Sequence, residues 1–214
     1  MLKRDINTNV SKLLLIGDVH GKVNLYQNAI RLAGQRHEVF LSIQVGDFGF
    51  IEAHDKAFGT TQNNTQHFVL FGNHDYYPYL DKNYSLGDVA FINTPNKKIM
   101  CIRGANSIDK SLQIQRGTWH EEEELTMQQG YEILDLYETF KPNLIISHDC
   151  PQSVRCALFN ITDTSRTSQL LESLLSIHKP NDWYFGHHHK QIQREINGVR
   201  YRCLSELESA FVDV

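Results

Sequence analysis

Short apolar runs closed by glycine or polar punctuation recur along the chain: LLLIG at 13–17, VFLSIQVG at 39–46, HFVLFG at 67–72, NLIISH at 143–148 and DWYFGH at 182–187. Runs this short and this apolar predict strands buried on both faces. Between them lie patterns of helical period. One covers 22–35, a second covers 121–140 and opens on four glutamates that suit a helix N-terminus, and a third covers about 164–178 with Leu170, Leu171, Leu174 and Leu175 as its apolar face. The alternation predicts an α/β fold. The stretches 88–103 and 191–204 read instead as hairpins, the second turning at Asn197-Gly198, so antiparallel strands are mixed in. No repeat, low-complexity tract or linker breaks the pattern, the only long irregular region is about 104–120, and one domain over 1–214 is expected.

Five polar clusters each follow directly on a predicted strand: GDVHG (17–21), GDFG (46–49), GNHD (72–75), SHDCP (147–151) and GHHH (186–189). Ligands of open α/β sheets bind at the carboxyl ends of strands, so clusters scattered in sequence would converge on one edge. Histidine makes up 11 of the 214 residues, and six of them (His20, His74, His148, His187, His188 and His189) fall in these clusters. The other five, His37, His54, His67, His120 and His178, sit in ordinary contexts. Elsewhere the composition mainly excludes. With 21 Lys+Arg against 25 Asp+Glu the net charge is −4, which offers no basic field for gripping long nucleic acid. No apolar run is long enough to span a bilayer, and the residues behind Lys3 and Arg4 form no secretory h-region, so no membrane association and a cytoplasmic location are expected. Cys101, Cys150, Cys156 and Cys203 form neither a C-x-x-C pair nor a dense framework and read as free thiols.

Asp18 and His20 straddle Val19, and on an extended strand end side chains two apart point the same way, so one carboxylate and one imidazole can serve one ion. The same holds for His187 and His189 around His188. Adding Asp47, Asn73 and His148 gives two carboxylates, one amide oxygen and four imidazoles, with no sulfur. That set suits Mn²⁺, Fe or Zn²⁺, and it is too large for one ion and about right for two.

The ordered series D-x-H, G-D, G-N-H-D, H and G-H-x-H over residues 13–189 resembles the calcineurin-like metallophosphoesterase superfamily, in a bacterial or phage-type form. The resemblance implies a four-layer α/β/β/α sandwich of mixed sheets flanked by helices. It also implies two divalent metal ions, Mn²⁺ foremost with Fe or Zn²⁺ compatible. Asp18, His20 and His189 would hold one, Asn73, His148 and His187 the other, and Asp47 would bridge both. It further implies His74 as the group that meets the substrate phosphate, oriented by Asp75, and a metal-bridging water as the attacking group in hydrolysis of a phosphoester, monoester or diester, with nucleotides among the candidates.

The chain departs from the protein phosphatases at its second motif, where GDFGFIEAH lacks the further acidic residue and Arg-Gly, so the phosphate-clamping arginine of that branch is missing. The stretch 102–123 is the candidate replacement, with Arg103, Lys110 and Arg116 as cations, Trp119 as a stacking face and a G-A-x-S-x-D-K segment found in many bacterial and phage members. Arg103 and Arg116 are therefore candidate substrate-binding residues; the alternative is a structural loop whose arginines pair with the glutamates at 121–124. Protein phosphatase and nuclease stand as alternative activities, and a non-catalytic scaffold as a third reading that the complete ligand set disfavours. Substrate and oligomeric state are left open.

Overall fold

A computed structural model describes residues 1–36, 41–49 and 66–214. It contains eleven described strands: β1 Lys3–Asn7, β2 Lys12–Ile16, β3 Leu41–Gln44, β4 Gln66–Val69, β5 Val89–Asn93, β6 Lys98–Ile102, β7 Leu144–Ser147, β8 Asp182–Phe185, β9 Ile192–Ile196, β10 Val199–Cys203 and β11 Ser209–Asp213. The described helices are α1 Val23–Arg36, α2 Lys110–Arg116, α3 Met127–Phe140, α4 Gln152–Phe159 and α5 Arg166–Ile177.

The strands form two mixed sheets. One runs β1-β5-β6-β7-β8-β10-β9 and the other β11-β2-β3-β4. Period-two alternation places them in layers. Leu13 and Leu15 of β2 pack inward with Ile43 of β3 against Ala90, Ile99 and Ile146 of the larger sheet, forming the core between the sheets. Leu14 and Ile16 point the other way, onto Tyr26, Ile30 and Ala33 of α1. The outer face of the larger sheet, including Met100, Ile145 and Trp183, is covered by Ile133 and Tyr137 of α3, Val154 of α4, and Leu171 and Leu174 of α5. The order is thus helix, sheet, sheet, helices, and a strand buried on both faces explains why LLLI carries no polar alternation.

Both expected hairpins are present, β5 with β6 and β9 with β10, and Asn197 (φ 52°) and Gly198 (φ 84°) make the left-handed turn that the second requires. Two expectations are corrected. The glutamates at 121–123 do not open the second long helix but form a separate 3₁₀ turn; α3 starts at Met127, capped by Thr126 in a reciprocal box with Gln129. The region about 104–120 is not irregular throughout, because α2 lies inside it. Strands β1 and β11 and helix α4 gave no clear pattern. β1 reads KRDIN, an edge strand whose charges blunt an exposed border. The start of the strand expected at 39–46, the segment after Gly49, and His37 and His54 lie outside the described residues. Among the described residues, no helix is long and apolar enough to cross a membrane.

Candidate metal centre

β2, β3 and β4 of one sheet and β7 and β8 of the other all end at the same edge, and the five polar clusters follow them there. Backbone bonds stitch the loops together: Val19 and His20 N–H both donate to the Asp47 carbonyl at 2.9 Å, and Gly186 N–H donates to the His148 carbonyl at 3.0 Å. The way the side chains converge differs from a simple strand pleat. His20 (φ 47°), Asp47 (φ 58°), His187 (φ 63°) and His189 (φ 50°) all occupy the left-handed region, which non-glycine residues adopt at a cost of ~1–3 kcal/mol each. Four such residues at one edge locate the strain where the side chains must be aimed.

Of three sets of potential ligand atoms among the described residues, the third being Asp149, Cys150 and His188, two share Asp47. Asp18, His20, Asp47 and His189 present atoms all within 4.8 Å of one another, and so do Asp47, His148 and His187. In the first set His189 Nε2 lies 3.0 Å and His20 Nε2 4.0 Å from Asp18 Oδ2, while the two imidazole Nε2 atoms approach to 2.9 Å. In the second set His148 Nε2 lies 3.1 Å from Asp47 Oδ1 and 3.3 Å from Asn73 Oδ1. Asp47 belongs to both. His148 Nδ1 is engaged with the Val45 carbonyl at 2.9 Å, which fixes the ring and leaves Nε2 turned into the centre. Space for these groups is made by glycine: a Cβ on Gly72 would land on Asp47 and His148, and one on Gly186 on Asp18. A cradle of carboxylate and imidazole atoms, kept open by residues without side chains, fits divalent cations.

The electrostatics agree. Burial raises Asp47, but the paired His148 outweighs it and holds the carboxyl well below the usual range; the same pairing lifts His148 against its burial. Burial pushes His187 down to about 3, leaving it neutral. His188 faces away from both sets, bonded to Asp149 at 3.1 Å and stacked on Phe159 at 4.1 Å.

Asp75 does not do what was expected of it. Its Oδ2 accepts the backbone N–H of Asp47 (2.9 Å) and Gly72 (2.7 Å) and its Oδ1 that of Gly49 (2.9 Å), so it staples two motif loops rather than orienting an imidazole. Burial, then the charge of Asp47, pushes its carboxyl up, while these N–H bonds pull it back. Among the described residues, Asp109 sets a carboxylate 3.7 Å from His74 Nε2. Arg103 is also corrected. It is buried and spent on Asp88 through Nε at 2.7 Å, on the Tyr77 hydroxyl and on the Glu122 carbonyl. Of the glutamates at 121–124, Glu122 meets Arg103 only through its backbone carbonyl, while Glu123 is engaged with Ser107 and Glu124 with Arg166. Arg116 lies exposed in the last turn of α2, and Lys110 Nζ sits over Trp119 at 4.0 Å. Among the described residues, the cation that does line the central cleft is Arg155, from the unexpected helix α4. The cleft, about 360 Å³, also contains His74, Asp109, Ile108 and Ile161. Arg155 is nearly buried, donates to the Asp163 carbonyl at 3.2 Å and lies 3.8 Å from Asp149. No sequence signal marked it.

The profile of the calcineurin-like phosphoesterase family matches residues 11–191. No curated protein matches the sequence. Among solved structures, a candidate 5′-nucleotidase from Staphylococcus aureus, in complex with α-ketoglutarate, superposes with a TM-score of 0.54 at 14% identity, covering 91% of this chain and 48% of that one. This chain therefore spans about half the length of the staphylococcal protein. A hypothetical protein from Thermus thermophilus gives 0.53 at 14% identity (91% and 76% covered), and a phosphatase from Mycoplasma pneumoniae 0.51 at 13% (92% and 73%). At these identities the likeness is one of fold.

Proposed function

The chain belongs to the calcineurin-like phosphoesterase family of metal-dependent phosphoester hydrolases, and from that premise we propose that it hydrolyses a phosphoester at a pair of divalent cations. The observation that carries the reading is the sharing of Asp47 between two convergent sets of ligand atoms. Asp18, His20 and His189 would hold one cation, Asn73, His148 and His187 the other, and Asp47 both. The oxygen and nitrogen donor set suits Mn²⁺, Fe or Zn²⁺, and the family resemblance puts Mn²⁺ foremost. When bound, two such cations supply Lewis acidity and lower the pKa of the attacking water.

The remaining work falls to the chain. His74 stands in the cleft, its backbone N–H fixed to Asp47 Oδ1 at 2.8 Å, where its imidazole can donate to the leaving oxygen. Arg155 supplies the cation for a phosphate oxygen, in place of the arginine that the second motif lacks. Ile108 and Ile161 give the cleft an apolar rim beside the polar floor, which suits an ester carrying an apolar or aromatic group, nucleotides included.

The test is turnover of p-nitrophenyl phosphate and bis-p-nitrophenyl phosphate by the Mn²⁺-loaded protein, with Asp47→Asn as control. Asp47-dependent hydrolysis supports the reading, and the preferred compound separates monoesterase from diesterase. Absence of turnover with both, and with a panel of nucleotides, would sink it.

A further inference from the structure

We infer that the segment 104–123 is a positioning device for Asn73 and His74: Glu123 and Ser107 fix which end of the Asn73 amide faces the metal centre, and Gln113 holds Asp109 against His74. The inference rests on the phosphoesterase reading for its His74 half.

Hydrogen-bond polarity runs one way through the network. Glu123, a carboxylate that only accepts, takes the Ser107 backbone N–H at Oε1 (3.1 Å) and the Ser107 hydroxyl at Oε2 (2.6 Å). The hydroxyl has one proton, so once that is given to Glu123, Ser107 Oγ can only accept from its other neighbours. Those neighbours are Asn73 Nδ2 at 3.1 Å and Gln113 Nε2 at 2.8 Å. The Asn73 NH₂ is thereby locked outward and its Oδ1 inward, toward His148 Nε2. Asn73, Ser107, Gln113 and Glu123 are all buried, so water is a poor substitute for any member.

The second hydrogen of Gln113 Nε2 goes to Asp109 Oδ1 at 2.7 Å, the same oxygen that faces His74 Nε2 at 3.7 Å. Asp109 occupies the position before α2 where an aspartate ordinarily caps the helix, yet its side chain makes no cap bond. The carboxylate is turned to the cleft instead. A segment with the look of a phosphate-gripping loop therefore acts from behind the reacting groups, and it sets an acidic side chain beside His74 Nε2.

Calorimetric titration of metal-free protein with Mn²⁺ tests the Asn73 half without reference to turnover. Ser107→Ala is expected to weaken one of the two binding events by about 10- to 100-fold, the usual effect of removing an outer partner. Glu123→Gln, which keeps the shape but offers Ser107 a donor, is expected to do the same, and Ser107→Thr to restore binding. Wild-type Mn²⁺ binding in both Ser107→Ala and Glu123→Gln would overturn this half.

For the His74 half, Asp109→Asn is a partly exposed change that keeps the fold. It is expected to bind Mn²⁺ as the wild type does, to leave KM within about twofold, and to lower kcat about 10-fold or more for an alkyl phosphate but less for p-nitrophenyl phosphate, whose leaving group needs little proton donation. Equal losses for the two substrates, or no loss, would overturn it. A wild-type protein inert toward every phosphoester would overturn the phosphoesterase reading and this half with it, while the Ser107 half would still be decided by calorimetry.

Discussion

The two sets of candidate ligands share Asp47 and differ in almost everything else. The set of His148, His187 and Asn73 is rooted in the fold, with only His187 half-buried: the His148 side chain is 0% exposed, its far nitrogen is held by a backbone carbonyl, and Asn73 is locked by a buried polar chain. The other set keeps Asp18 buried but opens outward through His20 and His189, whose side chains are 23% and 45% exposed. Behind His189 stands Glu206, 3.8 Å from Nδ1, itself on the surface and paired with Lys22. One half of the centre is preorganised by packing and the other is held by side chains that solvent can reach. A preorganised donor set costs less to close around a cation, so the inner half should bind more tightly and exchange more slowly.

Removing the shared residue should have the largest effect. Asp47→Asn should reduce turnover by on the order of 100-fold or more, beyond the loss expected of any outer partner, and should leave at most one Mn²⁺ bound by calorimetry. Next in size, stepwise chelation of the Mn²⁺-loaded protein should empty the centre in two phases separated by about 10-fold or more in chelator concentration; a single phase would erase the distinction between the halves. Alanine probes sharpen it further. Gly72→Ala intrudes on Asp47 and His148, and Gly186→Ala on Asp18, with an overpacking cost of about 1–3 kcal/mol each. Because Asp47 is shared, the first should impair both phases, and the second mainly the one that empties at lower chelator concentration. Glu206→Gln should weaken only that lower-concentration phase, by a few-fold, and the difference should shrink in high salt.

The smallest expected effect lies away from both halves. His67 on β4 bonds Ser42 Oγ at 2.6 Å, and burial pushes its pKa from the ordinary 6.5 to about 4. The folded state therefore favours the neutral ring, and its contribution is complete above pH 6.5 and lost as pH falls from 6.5 toward 4. In His67→Gln the acid slope of unfolding free energy should flatten across that window by about 1 kcal/mol in total, with both chelation phases unchanged. A changed phase would show that β4 stability and the centre are coupled.

Much of this was legible in residue order. Apolar runs such as Leu13–Ile16 marked strands because burial on both faces leaves no polar positions, and the polar clusters beyond them marked the site because strand ends are where a sheet offers unpaired geometry to a ligand. The family follows from those clusters. Weak local patterns were not legible: β1 has one apolar residue in five, and the helix expected to open on Glu121 instead opens on Thr126, because a reciprocal cap with Gln129 outweighs favourable charge at a helix start.

Roles within the site divide along the same line. Candidate ligands at strand ends, such as Asp18 or His148, could be picked out one by one, and the structure brings them together. Asp75, Arg103, Asp109 and Arg155 could not, because each is defined by what it faces. Asp75 looked like the partner of its neighbour His74 and instead accepts three backbone N–H groups from two loops. Arg103 looked like a free cation and is neutralised by Asp88, 15 residues earlier in the chain. Arg155, on a helix with no marked signature, is the cation in the cleft. Residue order determines the reactive groups available and the ends of strands that display them. Contact between groups distant in the chain is decided only when the two sheets pack, since a hydrogen bond or an ion pair depends on separation in space and on the water that packing removes.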